Sequence, residues 1–228
     1  MLIATGFPGK TDDVKLMLAG FAVAAVCSAE QTVTLEQLTH RVPSGAAREY
    51  RASTKALGNG NLAQSIAHCE KALEIDPANA AAHNDLGVLY LNDGRSEKAR
   101  AEFERASSLQ PRMAMAHINL SFALMALNRP GDAESSARKA LEIAPNDPRA
   151  NLLLGWSLVG QFYYTNEALL SLRVAVREYP EAHLAAADVL IHSGSLDGAR
   201  IEVEAYLTSG RAEQRSLAES WLRIMTIY

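Results

Sequence analysis

Apolar and polar positions alternate with a helical period through residues 84–94, NDLGVLYLNDG. Leu86 and Tyr90 are four residues apart and so share one helix face, and the polar run that ends at Gly94 interrupts the pattern. A second helical run follows at once, with its small and apolar positions at Ala99, Phe103 and Ala106. The pattern predicts two consecutive amphipathic helices joined by a tight turn.

This pair of helices is one copy of a repeated unit. Pro77, Pro111 and Pro145 are spaced by 34 residues both times. Each proline follows a helical run that ends near an aliphatic residue, namely KALEIDP, RASSLQP and KALEIAP. Self-similarity at a fixed period of this length is typical of a stacked helical array, and proline is suited to ending each second helix.

Residues 80–113 carry the full repeat signature. The positions are His83, Leu86, Gly87, Tyr90, Gly94, Ala99, Phe103, Ala106 and Pro111. This order resembles the tetratricopeptide repeat family, with His83 in place of the usual Trp. The resemblance covers residues 46–208 and implies an all-α, right-handed solenoid of about five helical hairpins.

The other units match the same signature less completely. Residues 46–79 match at Gly60, Ala72, Leu73 and Pro77, and residues 114–147 at Leu120, Leu124, Ala133, Ala137, Ala140 and Pro145. Residues 148–182 match at Leu154, Gly155, Leu158, Ala168 and Ala175, with one extra residue in QFYYTNEAL. A shortened unit follows from Pro180 to Leu207. Asp147-Pro148 and Arg129-Pro130 predict helix starts with proline in the first turn.

The chain begins with a segment of different composition. Lys10 and Lys15 precede the apolar stretch 16–29, LMLAGFAVAAVCSA, which is short for a membrane span and ends in small residues. We interpret residues 1–29 as a signal peptide that leaves Glu30 as the mature N-terminus. The alternative is a buried N-terminal helix, and Asp12 and Asp13 offset the two lysines in its favour.

Two further segments flank the repeats, which occupy residues 46–210. Residues 30–45 form a lead-in, and residues 211–228 form a C-terminal helix with Leu217, Trp221 and Met225 on one face. A terminal repeat needs a cap over its last apolar face, so we expect a capping helix. Dimerisation through this helix is the alternative.

Composition and charge limit the partners. The net charge is −4 and no Lys/Arg run occurs, so neither nucleic acid nor an anionic membrane surface is an expected partner. Only Cys27 and Cys69 are present, and Cys69 stands at a small or apolar repeat position, where a buried structural thiol is expected.

The sequence offers little for catalysis. It contains no HExxH, CxxC, phosphate-binding glycine loop or nucleophile elbow. His83, His117 and His183 recur at the same early place of three units, so they are separated by at least a whole repeat and do not converge as metal ligands. We therefore predict a non-enzymatic protein without a metal or cofactor.

In proteins of this family the first helix of each hairpin, helix A, lines a concave groove that binds the partner. Transferred position by position, the resemblance implies a partner-binding set in this chain: Asn84, Asp85, Met115, Ile118, Asn119, Phe122, Met125, Leu152 and Trp156. The first two are polar, and the set becomes apolar towards Trp156, which suits an amphipathic helix or an apolar segment of a protein. The alternative is that the chain itself, for instance residues 30–45, covers this face.

The sequence thus predicts an exported protein-interaction scaffold, periplasmic in a Gram-negative host, that binds a protein or peptide in the groove. A cytoplasmic adaptor or chaperone, and the regulatory subunit of an enzyme complex, are the alternatives. No membrane span is expected after processing.

Overall fold

The computed structural model describes residues 42–210 and 214–227, in which all regular structure is helical. The helices, in chain order, are α1 Ser44–Gly58, α2 Leu62–Ile75, α3 Ala80–Asn92, α4 Ser96–Leu109, α5 Ala114–Ala126, α6 Pro130–Ile143, α7 Pro148–Gly160, α8 Asn166–Ala175, α9 Ala182–His192, α10 Leu196–Thr208 and α11 Arg215–Ile227. The predicted signal peptide, and most of the predicted lead-in, lie outside the described residues.

Two of the first helices, α3 and α7, begin where a polar side chain satisfies free backbone N–H groups. Asp147 accepts hydrogen bonds from the backbone N–H groups of Arg149 and Ala150, at 2.9 and 3.2 Å, and Pro148 is the first residue of α7. The helix start predicted at Asp147-Pro148 is confirmed. Pro130 likewise opens α6, although Arg129 provides no side-chain cap.

The small residues of the signature allow the two helices of a hairpin to approach closely. A Cβ atom built on Gly87 of α3 would lie 2.5 Å from the Phe103 ring of α4, a distance that no side chain could accept. Phe103 is fully buried, as are Ala99 and Ala106 beside it. The offsets of the repeat therefore encode the close packing of helix A against helix B.

Each hairpin turn contains one residue in the left-handed backbone region. These residues are Gly60, Gly94, Asn128, Phe162 and Gly194, with φ between 57° and 82°. The first four are spaced by the repeat length of 34. Glycine adopts this conformation without steric penalty, whereas Phe162 does not.

The chain divides into two compact units, each with its own core. The N-terminal unit, in its described part residues 42–127, pairs α1 with α2 and α3 with α4, and α5 packs on α3 and α4. Cys69 of α2 is completely buried, and burial raises the pKa of its thiol to about 12. The cysteine is thus a structural core residue, as its repeat position suggests.

The C-terminal unit contains residues 128–210 and 214–227, in which α7 packs on α6 and α8, and α9 packs on α8 and α10. Its last helix, α11, packs on α10. Trp221 and Ala218 of α11 are buried in one cluster with Val203 and Tyr206 of α10. The apolar face of α11 therefore packs on the last hairpin, and its role as a solenoid cap stays a prediction.

Candidate functional site

The predicted binding residues of the N-terminal unit lie on α3 and α5, two A helices in contact. Here these residues are called the first A-helix face: Asn84, Asp85, Met115, Ile118, Asn119, Phe122 and Met125. Asn84, Ile118, Asn119 and Met125 are buried, whereas Asp85, Met115 and Phe122 remain partly accessible. The face is thus a largely packed surface with one carboxylate and two large apolar side chains accessible at it.

A polar cluster joins the two helices of this face. The side-chain amide of Asn119 donates a hydrogen bond to Oδ1 of Asn84 at 2.9 Å, and the amide of Asn84 points to Asp85 Oδ1 at 3.4 Å. The two asparagine side chains are almost entirely buried, so each depends on the other to satisfy its polar atoms. The chain therefore places fixed amide groups beside the accessible carboxylate.

Asp85 is held in an unfavourable environment for a charge. Burial raises the pKa of its carboxyl from 3.8 to about 6. None of the described ion pairs involves Asp85. Asp188 of the C-terminal unit differs, because its carboxylate lies 3.2 Å from His192 Nδ1. A perturbed carboxyl group beside fixed amides is typical of a binding site.

The remaining two predicted residues, Leu152 and Trp156, lie on α7 in the C-terminal unit. Leu152 is completely buried and Trp156 is only 4% exposed. Both therefore belong to the packed interior as the structure has them. Their contribution to partner binding stays a prediction.

Three histidine–glutamate pairs that the sequence analysis missed link the two helices of a hairpin. His83 of α3 donates to Glu102 of α4 at 2.6 Å, and His183 of α9 donates to Glu202 of α10 at 2.7 Å. In the first hairpin the order is reversed, with Glu49 on α1 accepting from His68 on α2 at 2.8 Å. The residues of each pair are 19 apart in sequence, so this constant offset could have revealed them.

In three hairpins the same position of helix A also contacts the loop that precedes its own helix. His83 Nε2 lies 3.1 Å from the carbonyl oxygen of Pro77, and His117 Nε2 lies 2.9 Å from that of Pro111. Asn151 repeats the contact with the carbonyl of Pro145. These histidines therefore act in the architecture, in agreement with their predicted role as residues of the repeat register.

The structure offers no site for metal chemistry in the residues that it describes. Among them, no three His, Cys, Asp or Glu side chains come together in a way that could hold a metal ion. Within the same residues, no helix has the length and apolar character that a membrane crossing requires.

The helical pairs, their turns and their packing glycines define a protein of the α-helical repeat class. The sequence profile of the tetratricopeptide repeat matches residues 56–118, and a second profile of the same repeat matches residues 115–147. The chain therefore contains tetratricopeptide repeats over residues 56–147. No curated protein matches the sequence.

Several solved structures share this fold. MamA 41-end from Desulfovibrio magneticus RS-1 is 17% identical, with a TM-score of 0.67 over 77% of this chain and 98% of that one. PilW, a type IV pilus biogenesis factor, is 21% identical, with a TM-score of 0.65 over 80% and 91%. YrrB, a tetratricopeptide protein with an unusual peptide-binding site, is 20% identical, with a TM-score of 0.63 over 79% and 93%. At these identities the likeness shows the fold.

Proposed function

We propose that this protein is an exported, non-enzymatic scaffold that binds a segment of a partner protein on its A helices. Repeat proteins of this family are interaction scaffolds, and the solved relatives include a protein described by its peptide-binding site. The observation that carries the proposal is the cluster of Asn84, Asn119 and Asp85. Fixed amides and an accessible, desolvated carboxylate provide hydrogen-bonding groups for a peptide backbone or a polar side chain.

Met115 and Phe122 supply the apolar part of the proposed site. Both lie on α5, seven residues apart and therefore two turns apart on one helix face, and both remain partly accessible. Methionine adapts to varied surfaces and aromatic rings serve as anchors, so these two residues suit the apolar side of an amphipathic helix. We propose that the buried Ile118 and Met125 support them from beneath.

The decisive experiment is site-specific photocrosslinking in the host. A benzoylphenylalanine replaces Met115 in the full-length chain, and the matched control carries it at Glu104, which is exposed on α4. A partner captured from position 115 and not from position 104, in envelope extracts, supports the proposal. Crosslinks from position 115 only to peptides of the same chain would show that the chain covers this face itself, and the proposal would then be wrong.

Export is tested separately by the N-terminus of the protein isolated from cells. We propose that cleavage leaves Glu30 first and that a Gram-negative host holds the protein in its periplasm. Support comes from the composition of residues 1–29, with two lysines before an apolar stretch that ends in small residues. A mature protein that retains the residues before Glu30 would favour the cytoplasmic adaptor instead.

A homodimer through α11, the alternative to a capping role, would have to use the exposed side of that helix. Trp221 and Ala218 are buried against α10, so the exposed side offers Arg215, Glu219 and Arg223. Arg215 already pairs with Glu219 at 3.0 Å. Self-association through this side would rest on solvated charges, which contribute little.

A further inference from the structure

An aromatic contact joins the turn between α7 and α8 to the end of α9. The Tyr164 ring stacks on the imidazole of His192, the last residue of α9, with the ring centroids 3.7 Å apart and the planes within 2° of parallel. Thr165, next to Tyr164, caps α8 by accepting a hydrogen bond from the backbone N–H of Ala168 at 3.2 Å. The stack therefore connects the start of α8 with α9.

The same imidazole contacts a buried carboxyl group. Asp188 lies one turn before His192 on α9, and its Oδ1 atom is 3.2 Å from His192 Nδ1. That nitrogen also lies 3.0 Å from the backbone carbonyl oxygen of Asp188. Asp188 is only 7% exposed, whereas the His192 side chain is 41% exposed. The imidazole thus contacts both the turn and a carboxyl group that is almost entirely removed from water.

Burial controls the proton affinity of this carboxyl group. Desolvation raises the pKa of Asp188 from 3.8 to about 6, although the neighbouring His192 acts in the opposite direction. Burial, and after it the charge of Asp188, raises the pKa of the Tyr164 hydroxyl. A proton on His192 is attracted both to the carboxylate and to the face of the Tyr164 ring. The three side chains therefore form one electrostatic cluster.

Among the described residues, His192 is the one charged group that acts on Asp188. Helix α9 packs on α7, α8 and α10 and shares an apolar cluster with α11. The other charged or titratable residues of these elements and of the adjoining segments are Arg149 on α7; Tyr163 in the turn; Glu167 and Arg173 on α8; Arg177, Glu178, Tyr179 and Glu181 before α9; His183 on α9; Asp197, Arg200, Glu202, Glu204 and Tyr206 on α10; and Arg215, Glu219 and Arg223 on α11. His183 and Arg173 both pair with Glu202. Apart from burial, only His192 shifts the pKa of Asp188.

We propose that Asp188, His192 and Tyr164 form a proton-dependent latch that holds the α7–α8 turn on α9 more firmly at mildly acidic pH than at neutral pH. Separation of Tyr164 from His192 hydrates the carboxyl group, so the open form ionises as an ordinary aspartate does, whereas the closed form keeps its proton to a higher pH. A rise in pH between the two pKa values therefore favours the open form. The turn displays Phe162 and Tyr163, both more than half exposed, so the latch makes the presentation of these two rings depend on pH.

Amide hydrogen exchange of the full-length chain, measured by NMR and divided by the intrinsic exchange rate at each pH, tests the latch. The reporters are the backbone N–H groups of Phe162 and Tyr163, which bond within the turn region to the carbonyl oxygens of Val159 and Leu158. With a pKa of 3.8 in the open form and about 6 in the closed form, opening should be up to about tenfold more frequent at pH 7.5 than at pH 5.

Three variants identify the groups responsible. Asp188→Asn should abolish the pH difference, whereas the matched control Asp197→Asn, at an almost fully exposed carboxylate of the same unit, should keep it.

Tyr164→Leu removes the stack, and the turn amides should then lose protection at both pH values. Carbon NMR of the wild type provides a test without substitution, because the Asp188 carboxyl should titrate near pH 6 together with the ring signals of His192. Protection that does not change with pH in the wild type, a pH difference that survives in Asp188→Asn or Tyr164→Leu, or a carboxyl that titrates at the ordinary aspartate pKa would each overturn the proposal.

Discussion

Replacing Asp85 by Asn should stabilise the protein at neutral pH. Burial raises the pKa of this carboxyl from 3.8 to about 6, so the folded state holds its proton more tightly than the unfolded state does. Between these two values the folded state binds more protons, and stability therefore falls as the pH rises. Above pH 6 the folded protein carries the whole penalty of a desolvated charge, which Asn does not impose.

The magnitude follows from the size of the pKa displacement. A displacement of about two units corresponds to roughly 3 kcal/mol at most. Because the Asp85 side chain is partly accessible, solvent screening reduces this value, and we expect Asp85→Asn to gain about 1–2 kcal/mol at pH 7.5. The amide of Asn84 can still donate to the carbonyl oxygen of the new side chain, so its hydrogen bond is kept.

Urea unfolding followed by circular dichroism, at several pH values from about 3.5 to 7.5, measures the effect across both pKa values. The advantage of Asp85→Asn should be largest at the highest pH and vanish below the unfolded-state pKa, where both proteins are uncharged at this site. Glu74→Gln removes an exposed carboxylate of α2 in the same unit and should change stability by less than about 0.5 kcal/mol at any pH. A variant less stable than the wild type at pH 7.5, or a gain that does not depend on pH, would refute the reasoning.

Three further predictions concern the repeat packing, the strained turn and the histidine pairs. Gly87→Ala should cost about 2 kcal/mol or more and lower the melting temperature, because the added methyl group meets the Phe103 ring at 2.5 Å; an unchanged melt would show that the helices can separate freely. Phe162→Gly should raise stability by about 1 kcal/mol in urea, since it relieves a left-handed non-glycine residue. The hydrogen bond from His183 lowers the pKa of Glu202, so its contribution is present at neutral pH and is lost as the pH falls. Glu202→Gln should therefore be less stable than wild type near pH 7 and approach it below about pH 4, and a difference that grows on acidification would contradict this.

The sequence predicted the architecture because its determinants are local and repeated. Gly87 and Phe103 show this, since the offset between them lies within one hairpin and recurs with the repeat period. That offset is enough to predict which side chains of the two helices pack together. The helix start at Asp147 is similar, because a cap depends on a few neighbouring residues. Both follow from short-range geometry.

Accessibility was harder to predict, because it depends on every element that surrounds a position. The family resemblance puts Trp156 and Phe122 at groove positions of neighbouring repeats. Trp156 is nevertheless buried, whereas Phe122 remains partly accessible. The repeat register gives the direction of a side chain from its helix but not what lies in front of it. The raised pKa of Asp85 was hard to predict for the same reason, because desolvation depends on all the elements that surround the carboxyl group in the folded chain.

If the chain is exported as we propose, the burial of Cys69 has a chemical consequence. The thiolate is the species that reacts with oxidants and disulfides, and a pKa of about 12 leaves hardly any thiolate at neutral pH. A protein that begins at Glu30 has Cys69 as its single cysteine, and packing keeps that thiol away from mispairing with other exported proteins. The same thiol becomes reactive only when α2 detaches, so its rate of alkylation is a built-in measure of how often the N-terminal unit opens.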